Sequence, residues 1–280
     1  MKKIILSAIL ALFLAACSFK GTQQRISKAL NANEFQIIAL ENNQSLSFDE
    51  FIGILSTFDI VLVGEKHDEL AHHIMEERIY KALSAHEKLA VVLEMLSVDK
   101  QSKIDAAKEQ NVSKNELLST LAWEKGWNES LYSPLVQSVF YSKDELLAGN
   151  ISRGKIAEIF KDKLTLKGDK SVALNVREKI KKIIAANHRV DLKDENKSKM
   201  LDSFVWVQLF KDRQMAQVLE TANTQALLFA GRYHTDKSIG VPLHFRDIGT
   251  KKSFTSVMLG VDESDKDFLQ ADFLVLFKKN

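Results

Sequence analysis

The feature that most constrains the fold is a series of short, continuous apolar runs rich in isoleucine, valine and leucine. Five of them are FQIIAL (35–40), DIVLVG (59–64), LAVVLE (89–94), ELLAGN (145–150) and QALLFAG (225–231), and SFTSVML (253–259) and DFLVLF (272–277) are two later candidates. Continuous apolar runs of this length are typical of parallel strands that are covered on both faces. The sequence therefore predicts an α/β fold with a mostly parallel central sheet flanked by helices.

Helical segments separate these runs. Between the second and third runs, Leu70, Ile74, Ile79 and Leu83 recur at near-helical spacing, which predicts a strand, helix, strand unit with parallel strands in one sheet. The segments 97–141 and 155–222 are long, polar and mostly free of glycine and proline, so we expect helical insertions and an additional helical lobe. Only two prolines occur in the chain, which argues against an all-β fold.

The N-terminal residues predict a lipoprotein signal peptide. MKK is followed by the apolar stretch IILSAILALFLAA, which is too short to span a bilayer, and residues 1–16 are therefore predicted to be a signal peptide. The stretch LAAC resembles a bacterial lipobox, so Cys17 is the predicted lipidation site and 17–32 a polar tether. Residues 33–280 then form a single domain. Ser18, rather than aspartate, follows the cysteine, which predicts sorting to the outer membrane. Anchoring on the periplasmic face and on the outer face of that membrane are both compatible with the sequence.

Two function classes are constrained by this assignment. Cys17 is the only cysteine, so no disulfide or thiolate metal site is expected, and any metal or haem has to be held by His, Glu, Asp or Tyr. Removal of Lys2 and Lys3 with the signal peptide lowers the count of basic residues from 39 to 37, equal to the 37 acidic residues. A nearly neutral mature chain gives no support to nucleic-acid binding.

Polar residues follow four of the apolar runs directly. Ligands of open parallel sheets bind outside the carboxyl ends of the strands, so these residues are expected to meet at one edge. They are Glu65, His67 and Asp68 after the second run, Glu94 after the third, Asn150 and Arg153 after the fourth, and Tyr233 and His234 after the fifth. The set Glu65, His67, Glu94 and His234 predicts either a divalent-metal site of nitrogen and oxygen ligands or an acid-base constellation around a substrate.

Neighbouring polar residues have alternative interpretations. Glu65 alone could accept backbone hydrogen bonds at the start of the following helix. His72 and His73 cannot share one helix face, so at least one is expected to be packed or solvated. Asp212 and Arg213 in FKDRQMA form either a surface charge pair or a support that orients a ligand.

An ordered set of motifs resembles a known family. The motifs are GEKHDELAHH (64–73), LEM (93–95), GWNESLYSP (126–134), GNISRG (149–154), DRQMA (212–216) and GRYHTDKSIGVP (231–242). Each is weak alone, but together they resemble, in order and over about residues 58–242, the ChaN family of iron-regulated, haem-binding bacterial lipoproteins. More distant similarity extends to erythromycin esterases and TIKI-type metalloproteases.

The resemblance implies a haem-binding lipoprotein of an iron-acquisition system. It implies a homodimer around two stacked haems, a tyrosine as iron ligand, a histidine of the other subunit nearby, and an outer-membrane haem receptor as a partner. Tyr80 and Tyr141 are expected to be packing residues, which leaves Tyr132 and Tyr233, the latter beside Arg232 and His234. His67, His234 and Arg153 are the other expected haem-binding residues. The distant relatives imply the alternative, a metal-dependent or acid-base hydrolase that uses the Glu and His set.

Overall fold

The computed structural model describes residues 34–260 and 270–278. The predicted signal peptide, Cys17 and the whole of the tether lie outside the described residues, so the proposed division of the chain stays a prediction. Within the described residues, eight strands form one sheet in the order β2-β1-β8-β7-β3-β6-β4-β5. The strands are β1 Phe35–Ala39, β2 Gln44–Leu46, β3 Ile60–Glu65, β4 Leu89–Ser97, β5 Glu145–Asn150, β6 Gln225–Gly231, β7 Phe254–Gly260 and β8 Phe273–Phe277.

The sheet is mostly parallel, as predicted. All pairings from β8 across to β5 are parallel, whereas β1 runs antiparallel to both β2 and β8. Every residue of β3, β4 and β6 is buried, which explains why these strands read as continuous apolar runs. β3 and β4 are parallel members of the same sheet, as the strand, helix, strand unit predicts, with β6 between them.

Ten α-helices surround the sheet in the described part of the chain. They are α1 Phe48–Leu55, α2 Leu70–Ser84, α3 Gln101–Lys108, α4 Leu117–Thr120, α5 Glu129–Phe140, α6 Arg153–Asp162, α7 Leu174–Asn187, α8 Glu195–Thr221, α9 Arg232–Thr235 and α10 Val241–Ile248. Sequence signals account for several boundaries: Ser47 and Glu50 form a capping box at α1, and the Asp194 side chain accepts two backbone hydrogen bonds at α8. No helix among these residues is long and apolar enough to cross a bilayer.

Helices cover both faces of the sheet and form the predicted lobe. One face packs Val61, Val63 and Leu93 against α2 and α5, and the other packs Leu62 and Val92 against the C-terminal half of α8 and α10. The N-terminal half of α8 instead packs against α6 and α7, with apolar clusters of its own. These three helices are the additional helical lobe.

The carboxyl ends of the central strands position the candidate site. Glu65, the last residue of β3, is the register partner of Gly231, the last residue of β6. In β4 the pairing with β5 is interrupted between Leu93 and Ser97. Glu94 lies in this irregular stretch, immediately beyond the last residue of β4 that pairs with β6.

Candidate functional site

Glu65, His67, Glu94 and His234 lie at one edge of the sheet, as the sequence predicts. Glu65 ends β3, Glu94 follows the paired part of β4, and His234 lies in the short helix α9 that begins directly after β6. All three of these side chains are buried, whereas 44% of the His67 side chain is exposed. We call these four residues the edge cluster.

The exposed part of the edge cluster is built on the Glu65 carboxylate. Its Oε1 accepts a hydrogen bond from the Tyr132 hydroxyl at 3.0 Å and also contacts Nδ1 of His67. Nε2 of His67 makes no hydrogen bond with any described residue, and the ring meets Trp127 edge-on at a centroid distance of 4.9 Å. A carboxylate on Nδ1 fixes the ring and its tautomer, which leaves Nε2 to face a ligand.

The charges around Glu65 act in opposite directions on its two partners. Partial burial lowers the pKa of His67, but the Glu65 carboxylate outweighs burial and the pKa is raised. Burial raises the pKa of Tyr132 well above its ordinary value, and the nearby carboxylate of Glu65 raises it further. Tyr132 is therefore a neutral hydrogen-bond donor in this arrangement.

Gly231 allows His67 to lie across the end of β6. A Cβ atom at this position would lie 2.8 Å from Cε1 and 3.1 Å from Nε2 of the His67 ring. The backbone N–H of Gly231 donates to Oε2 of Glu94 at 3.0 Å. The same glycine thus adjoins both halves of the edge cluster, and any side chain there would displace the imidazole.

The buried part of the edge cluster is a histidine between two carboxylates. His234 Nδ1 lies 2.5 Å from Oδ1 of Asp212, and its Nε2 lies 3.1 Å from Oε1 of Glu94. Burial lowers the pKa of His234, but the Glu94 and Asp212 carboxylates outweigh it and raise the pKa to about 10. His234 is therefore an imidazolium at neutral pH, with both ring nitrogens engaged.

The position of Asp212 decides between the two roles that the sequence allowed, a surface charge pair and a support that orients a ligand. It is fully buried in α8 and supports His234, so it orients a member of the edge cluster and is not part of a surface charge pair. Arg213 points elsewhere: its Nε donates to Nδ1 of His244 at 3.0 Å, and its Nη2 donates to the carbonyl oxygen of Lys167 at 3.1 Å.

Both histidines of α2, for which the sequence allowed a packed or a solvated position, are buried. His73 Nδ1 lies 2.9 Å from Oε2 of Glu76, and its Nε2 donates to the His67 carbonyl oxygen at 3.2 Å. His73 thus holds the loop that carries His67, and the acidic residue three positions later in the helix was the available signal. Nδ1 of His72 accepts from the backbone N–H of Lys66 at 2.9 Å. Trp127, which flanks His67, lies in the motif GWNESLYSP of the predicted insertion 97–141, but as a lone apolar residue it was not predicted to belong to the site.

The remaining predicted residues lie outside the edge cluster. Arg153 begins α6, and its largely exposed guanidinium donates from Nη2 to Oε2 of Glu124 at 3.1 Å. Its expected part in haem binding stays a prediction. Tyr233 is half-buried against apolar residues, with the Arg232 guanidinium carbon 5.8 Å from its ring centroid. Tyr80 is buried, as expected, but Tyr141 is an exposed residue and not a packing one.

A divalent-metal site is not supported by this geometry. Among the described residues, no group of three or more His, Cys, Asp and Glu side chains is arranged to hold a metal ion. In this arrangement both nitrogens of His234 are engaged by carboxylates, and one nitrogen of His67 is engaged by Glu65. The metal-dependent form of the hydrolase alternative therefore has no support among the described residues.

Comparison with known proteins identifies close and distant relatives. The model of the haem-binding uptake family, Tiki superfamily, ChaN, matches residues 51–245. A solved structure described as cofacial heme binding to ChaN of Campylobacter jejuni is 36% identical, with a TM-score of 0.83, and the alignment covers 88% of this chain and 98% of that chain. No match was found among curated protein sequences.

Two other solved structures are much less similar to this chain. The RRSP effector domain of a Vibrio vulnificus MARTX toxin is 14% identical with a TM-score of 0.49, and the alignment covers 86% of this chain and 39% of that one. An erythromycin esterase, EreC, is 14% identical with a TM-score of 0.42, and the alignment covers 80% of this chain and 76% of that one.

Proposed function

Because this chain belongs to the ChaN family of haem-binding proteins, we propose that it binds haem at the face that exposes His67. We also propose that the protein forms a homodimer that encloses the haem and that it takes part in iron acquisition. The family match covers most of the chain, and the C. jejuni relative, a ChaN protein with cofacial haem binding, aligns over nearly its whole length.

The orientation of His67 is the observation that carries the proposal. Its ring is held by Glu65 on one nitrogen, is exposed on the side of the other, and lies against Trp127. Leu70, three residues later, is an exposed apolar side chain. A flat apolar macrocycle with a metal centre requires this combination of an aromatic and apolar surface with an available nitrogen or oxygen donor. These residues therefore fit haem, whose ferric iron would accept a nitrogen or oxygen ligand from the protein.

Of the two candidate tyrosines, Tyr233 fits the role of iron ligand better. Tyr132 is 1% exposed and its hydroxyl donates a hydrogen bond to the Glu65 carboxylate, and its raised pKa opposes the phenolate that iron would need. The Tyr233 ring is half-buried, and its hydroxyl makes no hydrogen bond to any described residue. We therefore assign ligation to Tyr233, with His67 contacting haem in the assembled dimer.

The remaining parts of the proposal concern location and partners. Lipidation at Cys17 would attach the protein to the outer membrane, and a haem receptor in the same membrane would be its partner. Both rest on the lipobox LAAC and the family, since Cys17 lies outside the described residues.

Titration of the purified protein with haemin, followed by visible absorption, tests the function. We expect a saturable spectrum, loss of the ferric tyrosinate features in Tyr233→Phe but not in Tyr132→Phe, and about tenfold weaker binding in His67→Ala. His86→Ala, a change at an exposed histidine outside the edge cluster, is the matched control and should bind like wild type. Haemin binding that is equal in His67→Ala and His86→Ala would contradict the proposed site.

A further inference from the structure

A separate cleft lies beyond the carboxyl ends of β4 and β5, between the start of α6 and the middle of α8. Its volume is about 440 Å³, which lies within the range of small-molecule sites. Apolar side chains that include Ile151, Leu166 and Phe210 form part of its wall. None of the residues of the edge cluster lines it, and the function proposed above does not use it.

The polar part of the wall is positively charged. Lys155 and Arg213 contribute two cationic groups, and Gln214 and Gln217 contribute side-chain amides. None of the described residues that line the cleft is acidic. The lining therefore combines an apolar wall with hydrogen-bond donors and two cationic groups. Their acidic partners, Glu158 for Lys155 at 3.1 Å and Asp247 for Arg213 at 3.4 Å, lie outside the lining.

We propose that this cleft binds a small organic carboxylate with an apolar body, such as an alkanoate or an arenecarboxylate. The carboxylate would lie among Lys155, Gln214 and Gln217, and the body would lie against Ile151 and Phe210. An amine of the same shape would find no acidic side chain among the described residues that line the cleft, and a neutral amide would forgo the charged hydrogen bond with Lys155.

The donors are available for a ligand. Lys155 Nζ lies 3.1 Å from Oε2 of Glu158, but both side chains are well exposed, and an exposed pair of this kind contributes little to stability. The ammonium can thus turn to a ligand at small cost. The amides of Gln214 and Gln217 make no hydrogen bond with the described residues, so they also have donors to offer.

The walls are rigid enough to define a shape. Arg213 is fixed by Nε on His244 and by Nη2 on the Lys167 carbonyl oxygen, while its Nη1 makes no hydrogen bond with a described residue. Lys155 lies 5.6 Å above the Phe210 ring centroid, so charge and aromatic surface are adjacent. This proximity is what an aryl carboxylate requires, because its ring and its anionic group are also adjacent.

Ligand-observed NMR with benzoate on the full chain tests the proposal. We expect benzoate to bind about tenfold more tightly than benzamide, its neutral isostere. Lys155→Gln should weaken benzoate binding about tenfold, since it removes the mobile charge but keeps a side chain of similar length. Lys161→Gln, at an exposed residue of the same helix that does not line the cleft, should bind benzoate like wild type.

Two further measurements distinguish this cleft from the haem site. Benzoate binding should be unchanged in His67→Ala, whether or not that variant binds haemin. No benzoate binding, equal binding of benzoate and benzamide, or equal affinity in the two lysine variants would each overturn the proposal. Displacement of benzoate by haemin would also overturn it, because the cleft would then hold the propionates of haem and not a separate ligand.

Discussion

At the scale of the residue, the edge cluster depends on groups that are costly to bury alone. His234 is buried between Asp212 and Glu94, and removing it would leave Asp212 without its ion-pair partner. Glu94 would keep only Lys211, whose Nζ lies 3.5 Å from Oε1. Breaking a buried ion pair from one side typically costs about 3–5 kcal/mol. We therefore expect His234→Gln to lose about that much free energy of unfolding at pH 6.5, as measured by urea denaturation.

The pH dependence of stability follows from the same residue. The pKa of His234 is about 10 in the folded state, above its ordinary 6.5, so the fold stabilises the protonated ring. This contribution is complete below pH 6.5 and is lost as the pH rises through about 10. Wild type should lose stability over that interval more steeply than His234→Gln, while His73, with a pKa raised by Glu76 to about 9, maintains part of the slope. Equal slopes in both proteins would contradict the assignment, and His86→Gln is the control.

A substitution at Gly231 tests the position of the His67 ring without a change of charge. Gly231→Ala would place a methyl group 2.8 Å from the His67 ring, so the ring would be displaced. We expect haemin affinity to fall about tenfold, as for other changes to the support of a ligand-binding residue. Gly53→Ala is the matched control, because nothing lies within 4 Å of its Cβ position inside α1. If both variants bound haemin like wild type, Gly231 would have no role in placing His67.

At the scale of the element, the sequence predicts the bounds of buried strands well and misses an exposed edge strand. β5 and β6 begin and end where their apolar runs do, because both faces of these strands are covered. β2 was not predicted, since QSL is a short, mostly exposed edge strand with no apolar run. The convergence of Glu65, Glu94 and His234 was predictable from parallel strand ends, but Arg153 follows β5 at the sheet edge, where Glu124 binds it.

The connection between α6 and α7 provides the prediction at this scale. The Asp247 carboxylate in α10 accepts hydrogen bonds from the backbone N–H groups of Asp169, Lys170 and Ser171, at 3.0, 2.7 and 2.9 Å. Asp247→Ala would leave these donors unbound and release the connection. We expect faster tryptic cleavage within residues 163–173, by mass spectrometry of timed digests. Asp162→Ala, at an exposed residue, should digest like wild type, and an unchanged digest of Asp247→Ala would refute this role.

At the scale of the whole molecule, the proposal requires assembly. Haem bound at an exposed face leaves one side of an apolar macrocycle in water, and a second copy of the chain would cover it. A ligand that favours the dimer populates it, so haemin should shift sedimentation from monomer towards dimer. His67→Ala should require more haemin for the same shift. A protein that stays monomeric at saturating haemin would contradict the dimer, although not haem binding itself.

The most direct test of the central claim is the position of the iron. Crystals grown with haemin, measured at the iron absorption edge, give an anomalous map that locates the metal independently of the fit of the porphyrin. We expect an anomalous peak at the face that exposes His67, with Tyr233 of one copy in the iron coordination shell and His67 in contact with the haem. Iron bound at any other surface, with His67 and Tyr233 both remote from it, would contradict the account.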